Sequence, residues 1–232
     1  MFSQHDSVEL NELFNLRPFQ GQHPSRSRVI FFGRDANYPS DIKNNETRPG
    51  CFDLLRQYHE DGVGFWQNLY GNNPEQKHHP FLICMRDRDP GFRYHQVFSE
   101  MNLGSHCANH ISFVELLNVP TMGNPKDDPN NEFGNLLQQS QDHLARLLQQ
   151  MSSCDFRRVV FIPNSAIVKM NGITVAPFFY QQIFMRNETL RTNCPKLIFR
   201  YRNIDVYKCY HFSDPRGPGQ LKNMKGIIDD YI

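Results

Sequence analysis

Apolar runs set the frame of this chain. Val29 to Phe32 is continuous and stops at Gly33, the pattern of a strand buried on both faces. Ile111 to Leu117 reads as a second core strand and Arg158-Val-Val-Phe-Ile162 as a third, ending in Pro163-Asn164. Leu197 to Arg200 and Val206 to Tyr210, joined by Arg202-Asn203, make a hairpin or two adjacent strands. Helical spacing fills the intervals. Residues 7–16 place Val8, Leu13 and Leu16 after a Ser7 cap, and residues 51–60 and 63–70 form short helices broken at Asp61-Gly62. Residues 94–103 read as a further helix, and Leu136, Leu137, Leu144, Leu147, Leu148 and Met151 recur along a glutamine-rich one. Polar loops are expected at 39–50 and from Met122 to Gly134, a solvated turn at Met85 to Gly91, and an exposed pair at His78-His79. Pro80 to Cys84 is a short apolar run whose type stays open. Strands alternating with helices predict one α/β domain over 1–232, a mostly parallel twisted sheet in a three-layer α/β/α sandwich.

Composition narrows the classes. A chain of 232 residues can bury such a sheet. Its net charge of +1 excludes a highly basic nucleic-acid wrapper but not a local footprint. The stretch from Arg186 to Ile232 carries nine Lys/Arg against five Asp/Glu, a cationic excess suited to a phosphate backbone. Six cysteines with no Cys-x-x-Cys pair argue for reduced thiols rather than a disulfide framework or an iron–sulfur cluster. No apolar run approaches a membrane span, and no signal-peptide core opens the chain. The expectation is a cytoplasmic or nucleoid-associated monomer without membrane contact. Gly-x-Gly-x-x-Gly, Walker and Gly-x-Ser-x-Gly motifs are absent, which removes the common dinucleotide, nucleotide-triphosphate and serine-hydrolase readings. His106, Cys107 and His110 find no nearby fourth ligand in sequence, so no metal is expected, and no cofactor is required.

What remains is polar chemistry at strand ends. Asp35 follows the first strand, Glu115 or Asn118 the second, and His211 the last. In a doubly wound sheet such ends converge on one crevice. A carboxylate facing a histidine suits cleavage of an N-glycosidic bond: the acid stabilises an oxocarbenium ion and positions water, and the histidine donates to the departing base. Each residue also has a plain structural alternative. Asp35 caps a turn, Glu115 joins an ion pair, Tyr58 is a helix-face core residue, and Arg216 pairs with Asp214.

Gly33-Arg-Asp-Ala-Asn-Tyr38 and His211-Phe-Ser-Asp-Pro-Arg216 resemble the first and second motifs of the uracil-DNA glycosylase superfamily. Gln57-Tyr58 to Phe65-Trp66 is similar to the aromatic-then-Phe-Trp segment of its mismatch-specific and hypoxanthine-type branches. Phe113 to Thr121 is similar to the second strand and Pro-Thr turn of the mismatch-specific branch, and Val160 to Ala166 to the family's third strand and loop. The likeness runs in the family's order from about residue 28 to 220. It implies a monofunctional DNA glycosylase that flips a base and hydrolyses its glycosidic bond with Asp35 and His211. Gly33, Tyr58, Glu115, Asn118 and Ser213 would bind the base, with Tyr58 stacking on it, and Arg34 and Arg216 would contact DNA. Departures qualify the likeness. Ala36 follows the acid where the family has proline, Tyr38 stands one place late, and His-Phe-Ser replaces His-Pro-Ser. Registered by its Pro-Thr turn, the second strand puts Glu115 at the base-reading position; registered by Leu-Leu-Asn, it puts Asn118 there. An ionised Glu115 only accepts hydrogen bonds and matches an amino-bearing base of the cytosine type, whereas Asn118 pairs with uracil. No lysine at a motif position supports a lyase step. The role is either repair or defence against foreign modified DNA. The rival expectations are a catalytically inactive DNA-binding module of the same fold and an α/β enzyme acting on free nucleosides.

Overall fold

The computed structural model describes all residues except 73–77, 125–126, 164–165, 167, 171–172 and 176–193, and of 69–72, 168–170 and 173–175 the backbone alone. Asn164, Ser165 and the start of the basic C-terminal stretch therefore lie outside the described residues. The chain runs β1 (Ser3–Gln4), α1 (Val8–Leu16), β2 (Phe19–Gly21), β3 (Val29–Gly33), α2 (Cys51–Glu60), α3 (Gly62–Asn72), α4 (Phe81–Cys84) and α5 (Phe92–Ser99). It continues through β4 (Ile111–Glu115), β5 (Thr121–Met122), α6 (Glu132–Gln139), α7 (Gln141–Ser152), β6 (Arg158–Pro163), β7 (Val168–Met170), β8 (Ile173–Val175), β9 (Lys196–Tyr201), β10 (Ile204–Cys209) and α8 (Leu221–Asp229).

A six-stranded sheet in the order β2-β4-β3-β6-β10-β9 forms the centre. β4, β3, β6 and β10 are parallel, and the outer strands β2 and β9 pair antiparallel. Alternation along β3 assigns its side chains to two cores. Ile30 and Phe32 join α6 and α7 residues such as Leu137 and Leu147. Val29 and Phe31 join Trp66 of α3, Val97 and Phe98 of α5, and Met224 and Ile228 of α8. Helices thus cover both faces of the sheet. From β3 the chain passes to β4 on one side and then returns to β6 on the other, so the strand order reverses around β3. Outside the carboxyl ends of such strands lies the crevice where open α/β sheets hold ligands.

Several expectations need correction. Ser7 does cap α1, its hydroxyl accepting from Leu10 N at 3.2 Å. The helix, however, buries Leu10 and Phe14 and leaves Val8 and Leu16 exposed, Leu16 at 85%. The glutamine-rich helix is two helices, because the Ser140 hydroxyl turns back on Leu136 O at 2.8 Å and meets Asn118 Oδ1 at 2.9 Å. His78 and His79 are buried, not exposed. Met85 to Gly91 is the turn expected, with Arg86, Asp87 and Arg88 exposed, and Arg48 anchors it by donating to both oxygens of Asp89. Cys51 and Cys84 are joined in a disulfide between α2 and α4, against the expectation of six reduced thiols.

Candidate active site

The acid is aimed by its loop. Asp35 leaves the sheet two residues after β3 with its side chain 5% exposed. Its Oδ1 accepts from Arg34 Nε at 2.5 Å and its Oδ2 from Thr121 Oγ1 at 2.8 Å. The same threonine braces the backbone, donating from N to Ala36 O at 2.9 Å and accepting from Tyr38 N at 2.8 Å. The Pro120-Thr121 turn is therefore what orients the carboxylate. Arg34, expected to contact phosphate, is committed to Asp35 and lies over the Phe133 ring at 5.0 Å.

His211 begins the loop after β10. Its Nδ1 accepts the Ser213 backbone N–H at 3.2 Å, so the ring proton of the neutral imidazole sits on Nε2. Burial pushes the imidazole down to about 4, against the opposing pull of the Asp35 carboxylate. The Asp35 charge is thus felt at the ring, and the neutral imidazole is a donor through Nε2. Ser213 itself is exposed and serves through its backbone rather than its side chain. The loop is held at its root by Gln220, which donates to Tyr210 O at 2.7 Å and accepts from Tyr210 N at 2.8 Å. Gly217 closes the turn where a β-carbon would stand 2.7 Å from Phe212 O. Arg216 pairs with Asp214 at 2.7 Å and lies over the Tyr210 ring at 4.2 Å. This is the local pairing set against DNA contact above, though the side chain stays 62% exposed.

Glu115 ends β4 in register with Gly33. A β-carbon on Gly33 would fall 1.9 Å from Glu115 Oε2, so the glycine is what lets the carboxyl lie across the end of β3. Oε2 is shut off from solvent and has no hydrogen-bond partner. Burial first, and the charge of Asp35 second, push this carboxyl well above the usual carboxylate range, with Arg34 pulling the other way. Asn118 is elsewhere, bonded to Ser140 at the junction of α6 and α7. Of the two alternatives, Glu115 is the one at the strand end level with Gly33, where the Asp35 charge acts on it.

The aromatic side of the crevice differs from expectation. Tyr58 is 1% exposed and packs edge-on against Phe65 and His79, leaving no free ring face to stack on a base. Tyr94 of α5 takes the forward position, 5.0 Å from the His211 ring and 4.9 Å from Phe212. Burial, then Glu115, push its hydroxyl well above the usual range. With His211, Phe212, Phe31, Phe161 and Pro163, Tyr94 lines a tight cleft. Tyr94 carries no motif in the sequence; its signal is a helical offset of four from Phe98, which packs on the same core. Behind the cleft, His79 donates from Nε2 to Gln20 Oε1 at 2.9 Å while its ring stacks on His95 at 3.6 Å, and Gln20 donates to Tyr38 OH at 2.9 Å.

Among the described residues no helix is long and apolar enough to cross a membrane. Compared with protein-family models, curated proteins and solved structures, the chain has no significant match in any of the three.

Proposed function

We propose that the chain is a monofunctional DNA glycosylase of the uracil-DNA glycosylase type, acting on a base flipped from the helix. One observation carries the reading. An Asp35 carboxylate oriented by Arg34 and Thr121 follows one parallel strand, and a neutral His211 whose donor proton is on Nε2 follows another, close enough for the Asp35 charge to act on the ring. The carboxylate is suited to stabilising positive charge on the sugar and aiming water at it. The imidazole is suited to donating toward charge that develops on the leaving base. A crevice at the point where the strand order reverses, between parallel strands in the order β4-β3-β6-β10, adds support, as do the ordered motifs.

The test is single-turnover release of bases from oligonucleotides bearing uracil, hypoxanthine, cytosine, modified cytosines or adenine, read as alkali-labile abasic sites. Asp35→Asn and His211→Ala are each expected to lower the rate by about 10²–10⁴-fold. Release that survives both changes, or no release of any base, overturns the reading. Duplex binding without release would select a binding module instead.

A further inference from the structure

Two carboxyl groups stand at the carboxyl edges of adjacent strands, and their surroundings treat them oppositely. Asp35 has a guanidinium and a hydroxyl donating to it. Glu115 has an oxygen that neither water nor any donor reaches, laid against the Gly33 backbone where no β-carbon fits. An ionised oxygen sealed off in this way beside a second negative group is unfavourable; a protonated one avoids that cost. The groups facing Glu115 agree with this. Asp35 and Arg34 come from the loop after β3, Tyr38 from further along it, and Tyr94 from α5. From α7, His143 engages only the Glu115 backbone carbonyl. Arg34, the cation of the group, is already paired with Asp35. A carboxyl sealed from donors beside a carboxylate that accepts from two of them is an arrangement suited to hydrolysis at a sugar carbon.

We infer that Glu115 is the general acid of the reaction and hands its proton to a ring nitrogen that stands beside an exocyclic amino group, as N3 stands beside N4 in cytosine or N1 beside N6 in adenine. The inference rests on the glycosylase reading above. The proton moves from the carboxyl to the ring nitrogen, and the glycosidic C–N bond breaks with its electron pair passing onto the base, which departs neutral. Water beside Asp35 forms the new bond to the sugar carbon, and its proton goes to Asp35. The surplus proton on Asp35 and the vacancy on Glu115 are then equalised through solvent. Once ionised, Glu115 accepts a charge-assisted hydrogen bond from the new ring N–H on the oxygen that is not sealed against Gly33. Uracil and hypoxanthine carry an N–H at the corresponding ring position and offer no lone pair there. Glu115 thereby selects the base through chemistry rather than through hydrogen-bond count alone.

The experiment follows single-turnover release from oligonucleotides carrying cytosine, a 5-substituted cytosine, adenine, uracil or hypoxanthine, from neutral to alkaline pH. For an amino-bearing base, the wild-type rate should fall about tenfold per pH unit on the alkaline side, as the acid loses its proton. Glu115→Gln keeps the shape but has no acidic proton to give. It should leave half-saturation nearly unchanged, lower the rate by about 10²–10⁴-fold and abolish the alkaline fall. Its thermal midpoint should match or exceed that of the wild type, which shows that the loss is not unfolding. The cytosine and adenine arms separate pyrimidine from purine, and release of either supports the inference. Glu115→Gln within a few-fold of wild type, an alkaline limb retained in that variant, or release of uracil with amino-bearing bases untouched overturns the role of Glu115 while leaving a glycosylase in place. No release of any base, or release indifferent to Asp35→Asn and His211→Ala, brings down the glycosylase reading itself.

Discussion

Gly33 has a hydrogen where any other residue would place a carbon 1.9 Å from the Glu115 carboxyl. Its backbone is part of β3, so the demand is for space and not for an unusual dihedral. Gly33→Ala should therefore overpack the end of the strand, costing about 1–3 kcal/mol, and should displace Glu115 from the crevice. Urea denaturation reads the first effect and base release the second. Gly33→Ala combined with Glu115→Ala should recover most of the lost stability without recovering activity, because the clash requires both side chains. Glu115 itself destabilises the fold near neutrality. Its folded-state pKa lies above the ordinary 4.5, so folding favours the protonated form and its contribution declines as pH rises past the unfolded value. Glu115→Gln removes that penalty, which predicts a higher thermal midpoint at neutral and alkaline pH than at acid pH relative to wild type.

The loop that presents His211 depends on an element that follows it. Gln220 clamps both backbone groups of Tyr210 from just before α8. Gln220→Ala should leave that N–H and C=O unpaired at a cost of about 1–3 kcal/mol. The base-release rate should fall with it, because His211 is the next residue along. Gln220→Glu, which keeps an acceptor but loses the donor to Tyr210 O, should fall between the two in urea denaturation. Elements of this kind set the limit of what could be read from the chain alone. The parallel strands were legible because an unbroken run such as Val29 to Phe32 has few other places to go. Asp35 and His211 were legible because each follows such a run within two residues. The brace from Thr121, the clamp from Gln220 and the forward place of Tyr94 were not, since each depends on a contact between segments far apart in sequence. His78-His79 misled for the same reason: two imidazoles beside a proline read as solvent-facing, and contacts such as those of His79 with Gln20 and His95 make burial tolerable. Ser140 misled locally, because leucine spacing continues across it while its hydroxyl bonds back to Leu136 O and breaks the helix.

Across the whole molecule, buried imidazoles govern the response to acid. His79 and His95 are held well below the ordinary 6.5 by burial first and by neighbouring imidazoles second, and His59 is pushed down to about 3, again by burial first. For each ring the unfolded chain takes up a proton below about 6.5 that the folded chain refuses, so ν_U exceeds ν_N and stability falls as pH falls. A ring that stays neutral in the fold lowers stability by up to about 1.4 kcal/mol per pH unit below the unfolded value. Set against a total of about 5–15 kcal/mol for a typical domain, several such rings make the fold acid-sensitive. Paired carboxylates such as Asp41 and Asp89, lowered from 3.8, lose their contribution only further down. Glu115 works in the opposite sense, gaining as pH falls. The window between about 6.5 and 4 therefore belongs to the histidines. Urea midpoints across that window should drop steeply for the wild type. His95→Phe, which keeps a ring stacked between His79 and Phe81 but cannot take a proton, should flatten the slope measurably. An unchanged slope in that variant would place the acid sensitivity outside the cluster.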